Sequence, residues 1–227
     1  FVHFGATERI LQEAHPHIGT NKLPGIIANM REAIIECGGE VWFDTKLTDI
    51  IIENNQIKGI EINHDKKIKT SSLILATGHS ARDIFRMLDD KNVLIEAKPF
   101  ALGVRVEHHQ SLIDTSQYHC PIGTERNEFL PPASYSLVSQ EAGRGVFSFC
   151  MCPGGIIAPA STDEGELVVN GWSPSKRDGF FANSGMAVTV DEKDFAKYGF
   201  TGPLAGMKFQ QMVEQKAWQV GGGKLKA

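Results

Sequence analysis

Leu73-Ile74-Leu75-Ala76-Thr77-Gly78-His79-Ser80-Ala81-Arg82-Asp83 is the stretch on which the fold turns, set between Ser71-Ser72 and Ile84-Phe85-Arg86-Met87-Leu88-Asp89-Asp90. Leu73 to Ala76 is a short apolar run bounded by serines and a glycine, which reads as a strand buried on both faces of a layered sheet. The period then changes. Ser80 stands as a cap, Asp83 follows three positions later, and Ile84, Phe85 and Leu88 recur at helical spacing, so the pattern predicts a helix from Ser80. Small residues between such a strand and helix let a ligand approach the backbone, beside amides that favour an anion. Layered α/β proteins carry many glycine turns that bind nothing, so the turn alone does not establish a ligand.

Upstream, Thr7 to Ala14 reads as a short helix and His15-Pro16-His17-Ile18-Gly19-Thr20 as a loop with surface imidazoles. Pro24 to Cys37 is an amphipathic helix, with Ile26, Ile27, Met30, Ile34 and Cys37 on one stripe and Gly38-Gly39 as its stop. This reading makes Cys37 a packing residue. From Glu40 the period drops to two: Val41–Phe43, Leu47–Glu53, Ile57–Ile62 and Lys67–Thr70 form short strands separated by Asp44-Thr45, Asn54-Asn55 and Asn63-His64-Asp65. That is a β-meander, from which Leu73–Ala76 returns to the main sheet.

Downstream, Lys98 to His109 alternates as a strand, and Gly and Pro become frequent from Pro121 to Pro174. Val146–Cys152, Leu167–Asn170 and Ala187–Val190 are further strands, and Leu204–Val220 is a helix through Leu204, Met207, Met212 and Trp218. The expected organisation is therefore residues 1–97 with the helix and meander, a β-rich unit at 98–203, and a closing helix at 204–227. Phe1 to Ala6 reads as the tail of a helix, and the chain closes on Gly221-Gly222-Gly223-Lys224-Leu225-Lys226-Ala227, so both ends read as interior to a longer protein.

With 227 residues, 41% of them hydrophobic, the chain can bury a sizeable core, and a net charge of -4 gives no reason to expect nucleic acid or an anionic membrane as partner. No apolar run approaches the ~20 residues of a membrane span. Four irregularly spaced cysteines do not make a secreted disulfide framework, which points to a reduced, cytoplasmic setting.

The Leu75-Ala76-Thr77-Gly78 strand end after a meander resembles the second signature of FAD-binding flavoproteins of the glutathione reductase type. Gly78-His79-Ser80-Ala81-Arg82-Asp83 looks like that of a narrower, mostly bacterial group of FAD-dependent dehydrogenases, a two-domain flavoprotein family. Lys98-Pro99-Phe100, Gly103-Val104-Arg105-Val106-Glu107-His108, Phe147-Ser148-Phe149-Cys150-Met151-Cys152-Pro153-Gly154-Gly155, Asn170-Gly171-Trp172-Ser173 and Ala182-Asn183-Ser184-Gly185 look like phrases of the same group. The resemblance implies an α/β fold of α+β character: part of a Rossmann-like FAD/NAD(P)-binding domain with its meander, followed by a β-rich substrate domain. It implies FAD as cofactor, bordered by Thr45, Lys46, Leu47, Ala76, Thr77, Gly78 and His79, and hydride exchange with a small organic substrate. A nicotinamide nucleotide, NAD(P)H, is a hydride donor compatible with such enzymes, and the residues decide neither that nor the oligomeric state. The family's opening Gly-x-Gly-x-x-Gly turn has no match, since Gly143-Arg144-Gly145 lacks the third glycine and precedes a strand. Without that turn the expectation is weak FAD retention by this chain alone. The competing reading is a non-catalytic binding module on the same scaffold.

Three side chains are catalytic candidates. Cys150 and Cys152 read either as a redox or nucleophilic thiol facing the flavin, or as two small i, i+2 side chains on one strand face before a Gly-rich bend. Their spacing, with His119-Cys120 as remote helpers, does not make a zinc site. Alternation sends Arg105, Glu107 and His109 to one face and Val104, Val106 and His108 to the other, leaving His108 as the covered imidazole, either a general acid or base or a hydrogen-bonded structural residue.

Overall fold

The computed structural model describes residues 1–226 and is a mixed α/β structure built on antiparallel sheets. Two 3-10 turns, Val2–Phe4 and Glu8–Leu11, precede helix α1 (Leu23–Glu36). Strands β1 (Leu47–Glu53), β2 (Gln56–Ile62) and β3 (Lys66–Lys69) form the meander, ordered β1-β2-β3. Its tight connections run through Asn54, Asn55, Asn63 and His64 at positive φ, the left-handed conformation that asparagine tolerates best among side-chain-bearing residues. Helix α2 (Arg82–Asp90) follows.

The second half begins with β4 (Phe100–His109) and α3 (Gln110–Tyr118). Then come β5 (Val138–Glu141), β6 (Arg144–Cys152), β7 (Ile156–Ala160), β8 (Val168–Trp172) and β9 (Phe181–Val190), and helices α4 (Glu192–Lys197) and α5 (Ala205–Val220). A four-stranded sheet has the order β4-β9-β6-β5, and β7-β8 is a separate hairpin. β4 and β9 pair along ten residues from Phe100↔Val190 to His109↔Phe181. Such long pairing is possible because Gly103 and Gly185 present no side chain: a Cβ on Gly103 would collide with the Met186 carbonyl, and one on Gly185 with the Phe149 ring.

The core lies where this sheet meets the C-terminal helices. Val190, Phe195, Ala205 and Phe209 are buried together, with Phe100, Leu102, Val188, Met212 and Val213 against them. Phe195 is fully enclosed, stacks on Phe100 at 5.5 Å and packs at a tilt against Phe209 at 5.3 Å between ring centroids. The seam of α5 runs through Ala205, Phe209, Met212 and Val213, one helical face. Asp191 and Asp194 close a capping box on α4, and Arg144 clasps Asp194 with two 2.6 Å bonds.

Several expectations need correction. Leu73–Ala76 is not a strand: it runs without ladder partners, and Ile74 is 91% exposed. A strand covered on both faces needs neighbours along its edges, and no described segment runs beside it, since all ladders here are antiparallel and lie elsewhere. The parallel, Rossmann-like sheet is thus not formed by these residues. Val41–Phe43 likewise stays irregular, with Trp42 and Phe43 exposed. On α1 only Ile26 is buried; Ile27 and Ile34 face outward, and Cys37 is an exposed end residue rather than a packing one. Residues 7–14 shrink to a single 3-10 turn capped by Thr7. Helix α2 starts at Arg82, not Ser80: the Ser80 carbonyl accepts the Arg82 N–H, and no side chain caps the helix. Ala227, the last residue of the expected closing unit, lies outside the described residues.

Candidate functional site

The expected cofactor edge is assembled from two stretches. Asn63 organises the first, its Oδ1 accepting the Lys46 N–H at 2.8 Å while its Nδ2 donates to the Asp44 carbonyl at 3.0 Å. Thr45 Oγ1 donates to the Phe43 carbonyl, and Leu47 enters β1 opposite Ile62. The second stretch, Ala76-Thr77-Gly78-His79, is exposed throughout, and Gly78 has φ 78° with open space where a Cβ would stand. Lys46 Nζ reaches Asp83 Oδ2 at 2.7 Å, which links the residue before β1 to helix α2. That hydrogen bond holds the Asp83 carboxyl below its ordinary pKa. A cleft of about 480 Å³ lined by Trp42, Phe43, Thr45, Ile62, Asn63, Asp65 and Lys66 opens beside Thr45, and the Lys66 ammonium lies 4.3 Å from the Trp42 ring centre. The cleft thus has an aromatic wall and amide groups, and the Gly78 turn is not among its lining.

The Ala-Thr-Gly turn is tied to the rest of the molecule by its next charged residue. Arg82 is buried between two buried carboxylates, donating to Glu166 at 2.5 Å and Glu214 at 2.8 Å. Gln211 and Gln210 donate to the remaining oxygens. Burial alone would lower the Arg82 pKa, but its hydrogen bonds and charge interactions with the two glutamates outweigh burial and hold it raised. Sequence spacing could not reveal this, because the partners lie 84 and 132 residues away.

In the second half, the two faces of β4 separate as alternation requires. His108 is half-buried and its Nε2 pairs with the Tyr135 hydroxyl at 3.2 Å. Along the same face Val104 and Val106 are exposed, so His108 stands at the edge of an open apolar sheet surface. Tyr135 was not legible as its partner.

The opposite face carries Arg105, whose Nη1 donates to Asn183 Oδ1 and, at 3.3 Å, to the Cys150 carbonyl. Cys150 and Cys152 do not share one regular strand face: a bulge interrupts the β6–β9 register between Phe149 and Cys152, and Cys150 takes φ 45°. Cys150 is exposed, while Cys152 is half-buried and donates its S–H to the Cys150 carbonyl. Both are free thiols. Gly171 of β8 packs onto the pair Arg105–Cys152, and a Cβ there would collide with both. Arg177 borders the same bend, its backbone lying against Gly154. Burial lowers its pKa, with the charges of Glu13 and Cys152 acting in the other direction. Among the described residues, no three His, Cys, Asp or Glu side chains gather as metal ligands.

Two comparisons bear on this geometry. The family model described as "FAD-dependent protein, C-terminal domain-like" matches residues 99–227, the β-rich half and the closing helix. The chain is also 44% identical over 226 residues to an uncharacterized protein of Clostridium beijerinckii, a match covering 98% of this chain and 41% of that protein. The chain therefore spans about two-fifths of the length of the curated relative it matches. Among the described residues, no helix is long and apolar enough to cross a membrane.

Proposed function

The chain belongs to the family of FAD-dependent proteins through its C-terminal-domain-like half, and from that premise we propose that it is the central module of an FAD-dependent oxidoreductase acting on a small organic substrate. The observation that supports this reading is the Lys46–Asp83 ion pair, which links the residue before β1 to helix α2, the helix that follows the Gly78 turn. When bound, FAD supplies the hydride-accepting chemistry. The chain's own residues do the rest. Thr45, Lys46 and Leu47 would border one end of the cofactor, the backbone from Ala76 to His79 would approach it, and Arg82 keeps that turn seated on the β-rich half. Residues 1–97 contribute to a Rossmann-like FAD-binding domain, and residues 98–203 form the substrate domain.

His108 is the group suited to holding a proton near the substrate, at Nε2, where Tyr135 orients the ring. Its position at the edge of an open sheet face, beside exposed Val104 and Val106, supports access by a small ligand. Cys152, engaged by the Cys150 carbonyl and covered by Gly171, serves the architecture of the opposite face, with no redox step assigned to it.

The missing Gly-rich turn makes a sharp expectation, because pyrophosphate binding in such folds depends on it and on the helix it opens. The visible spectrum of the full-length Clostridium beijerinckii relative, purified beside this chain, is the test. Bound flavin in the longer protein and none retained by the chain is the expected result. No flavin in either after adding FAD would overturn the oxidoreductase reading in favour of a binding module, and stoichiometric flavin on the chain alone would overturn the dependence on the missing turn.

A further inference from the structure

Every sheet among the described residues ends in strands whose outer backbone groups face no ladder, and all but one of these edges carry a feature that discourages further pairing. In the meander, β1 is broken by register shifts at Leu47/Asp49 and Ile51/Ile52, and β3 presents Lys66, Lys67 and Lys69. The β7–β8 hairpin has short strands of five residues each, with Pro159 in β7. In the four-stranded sheet, the β5 edge is only four residues long and ends in Ser139-Gln140-Glu141. The opposite edge is β4, which has none of these features. It pairs with β9 over ten residues without a register shift, contains neither proline nor lysine, and leaves Val104 (65%) and Val106 (38%) exposed. Among the described residues, no backbone group outside β9 bonds to the β4 backbone.

The charged residues of β4 are Arg105 and Glu107, opposite in sign and on one face of the strand. Arg105 Nη1 donates to uncharged oxygens of Asn183 and Cys150, and Glu107 Oε2 accepts the Ile157 N–H, so neither side chain meets an opposite charge within the chain. A second β4 laid antiparallel, with Val106 opposite Val106, sets Arg105 of each copy opposite Glu107 of the other. Sliding it by two residues either way sets Arg105 or Glu107 opposite its own copy, like charge against like, and sliding it by one turns the side chains to the wrong face. We propose that β4 is an association edge for a second copy of this chain, the two strands pairing antiparallel over Gly103–His109 about Val106 to make one continuous sheet. The arrangement is closed, because each copy uses up the same edge of the other, and the outer edges that remain are the two short β5 strands. On the apolar face, Val104 of one copy stands opposite His108 of the other, which puts the His108–Tyr135 pair at the seam. The pairing does not depend on the oxidoreductase reading.

Sedimentation velocity on the chain at concentrations from roughly 1 to 200 μM, where small interfaces associate, measures the pairing. A monomer–dimer equilibrium is expected. Val104→Lys puts a lysine on the exposed edge, and Glu107→Arg sets like charges opposite each other. Each variant, checked for an unchanged melting transition, should raise the dissociation constant about tenfold, since symmetry repeats every cross-strand contact. The register is read by disulfide trapping with oxidised glutathione, which takes up the two electrons. The Val106→Cys variant should give a linked dimer on a non-reducing gel, because position 106 lies opposite itself. Position 104 lies about 13 Å from its own copy, so Val104→Cys should link no more than the parent sequence with its exposed Cys37 and Cys150. A monomer at every concentration would overturn the proposal and leave this edge to other parts of a longer protein. A dimer that neither charged variant weakens, or that Val106→Cys fails to trap, would overturn it in favour of a different contact.

Discussion

Arg82 sits between two carboxylates that are as deeply buried as it is, so its removal strands Glu166 and Glu214 rather than merely deleting a contact. Breaking such a buried pair costs about 3–5 kcal/mol. Arg82→Met should lower the urea-unfolding free energy by that amount. Glu166→Gln should cost distinctly less, because it leaves one cation facing one carboxylate; equal losses would refute the charge argument. Asp194 is the corresponding residue at the other end of the core. The Arg144 hydrogen bonds lower its pKa strongly. A carboxylate depressed in the folded state stabilises fully above its unfolded pKa of about 3.9 and loses that contribution as pH falls toward the folded value. Urea midpoints should therefore show Asp194→Asn less stable than the parent sequence at pH 7, with the gap narrowing below pH ~4. A gap independent of pH would contradict this.

At the scale of elements, two glycines of opposite surroundings make a matched pair. Gly25 lies in the first turn of α1 with open space around it, whereas Gly103 lies in β4 directly against the Met186 carbonyl. Gly25→Ala should raise stability by about 0.5–1 kcal/mol, since alanine loses less backbone entropy in a helix. Gly103→Ala should lower it by about 1–3 kcal/mol or more, as the β4–β9 ladder must part to admit a methyl group. Thermal melts of the two variants test both signs. The bulge at Cys150 has its own consequence at this scale. It turns the end of β6 so that Cys152 meets Arg105 and Gly171, a meeting that regular i, i+2 alternation would not have produced.

Across the whole molecule, order is uneven. The β4–β9 pairing and the α4–α5 core are closely packed, while Ile34, Phe43, Ile74 and Leu94 of the first half lie exposed. Segments with few packed contacts open most readily. Limited digestion with proteinase K should cut first between residues 71 and 81 and leave a product spanning β4 to α5; a first cut within β4 or β9 would contradict this. Much of this architecture was legible in the sequence, because local pattern carries local structure: period two with Asn-rich turns marked β1 to β3, and helical spacing marked α1 and α5. The alternation of β4 likewise separated His108 from Arg105. What required the tertiary structure were relations between distant residues. Leu73–Ala76 has the composition of a strand, yet a strand exists only where another segment accepts its hydrogen bonds. Arg82 has the spacing of a helix-start residue, yet its carboxylate partners come from beyond β7 and from α5. Asn183 carries no local signal, and its hydrogen bond from Arg105 exists only because β4 and β9 pair. Sequence determined the periods and the turns; folding decided which charges are buried, which apolar edges stay uncovered, and which donors meet, because burial and pairing are properties of neighbours in space.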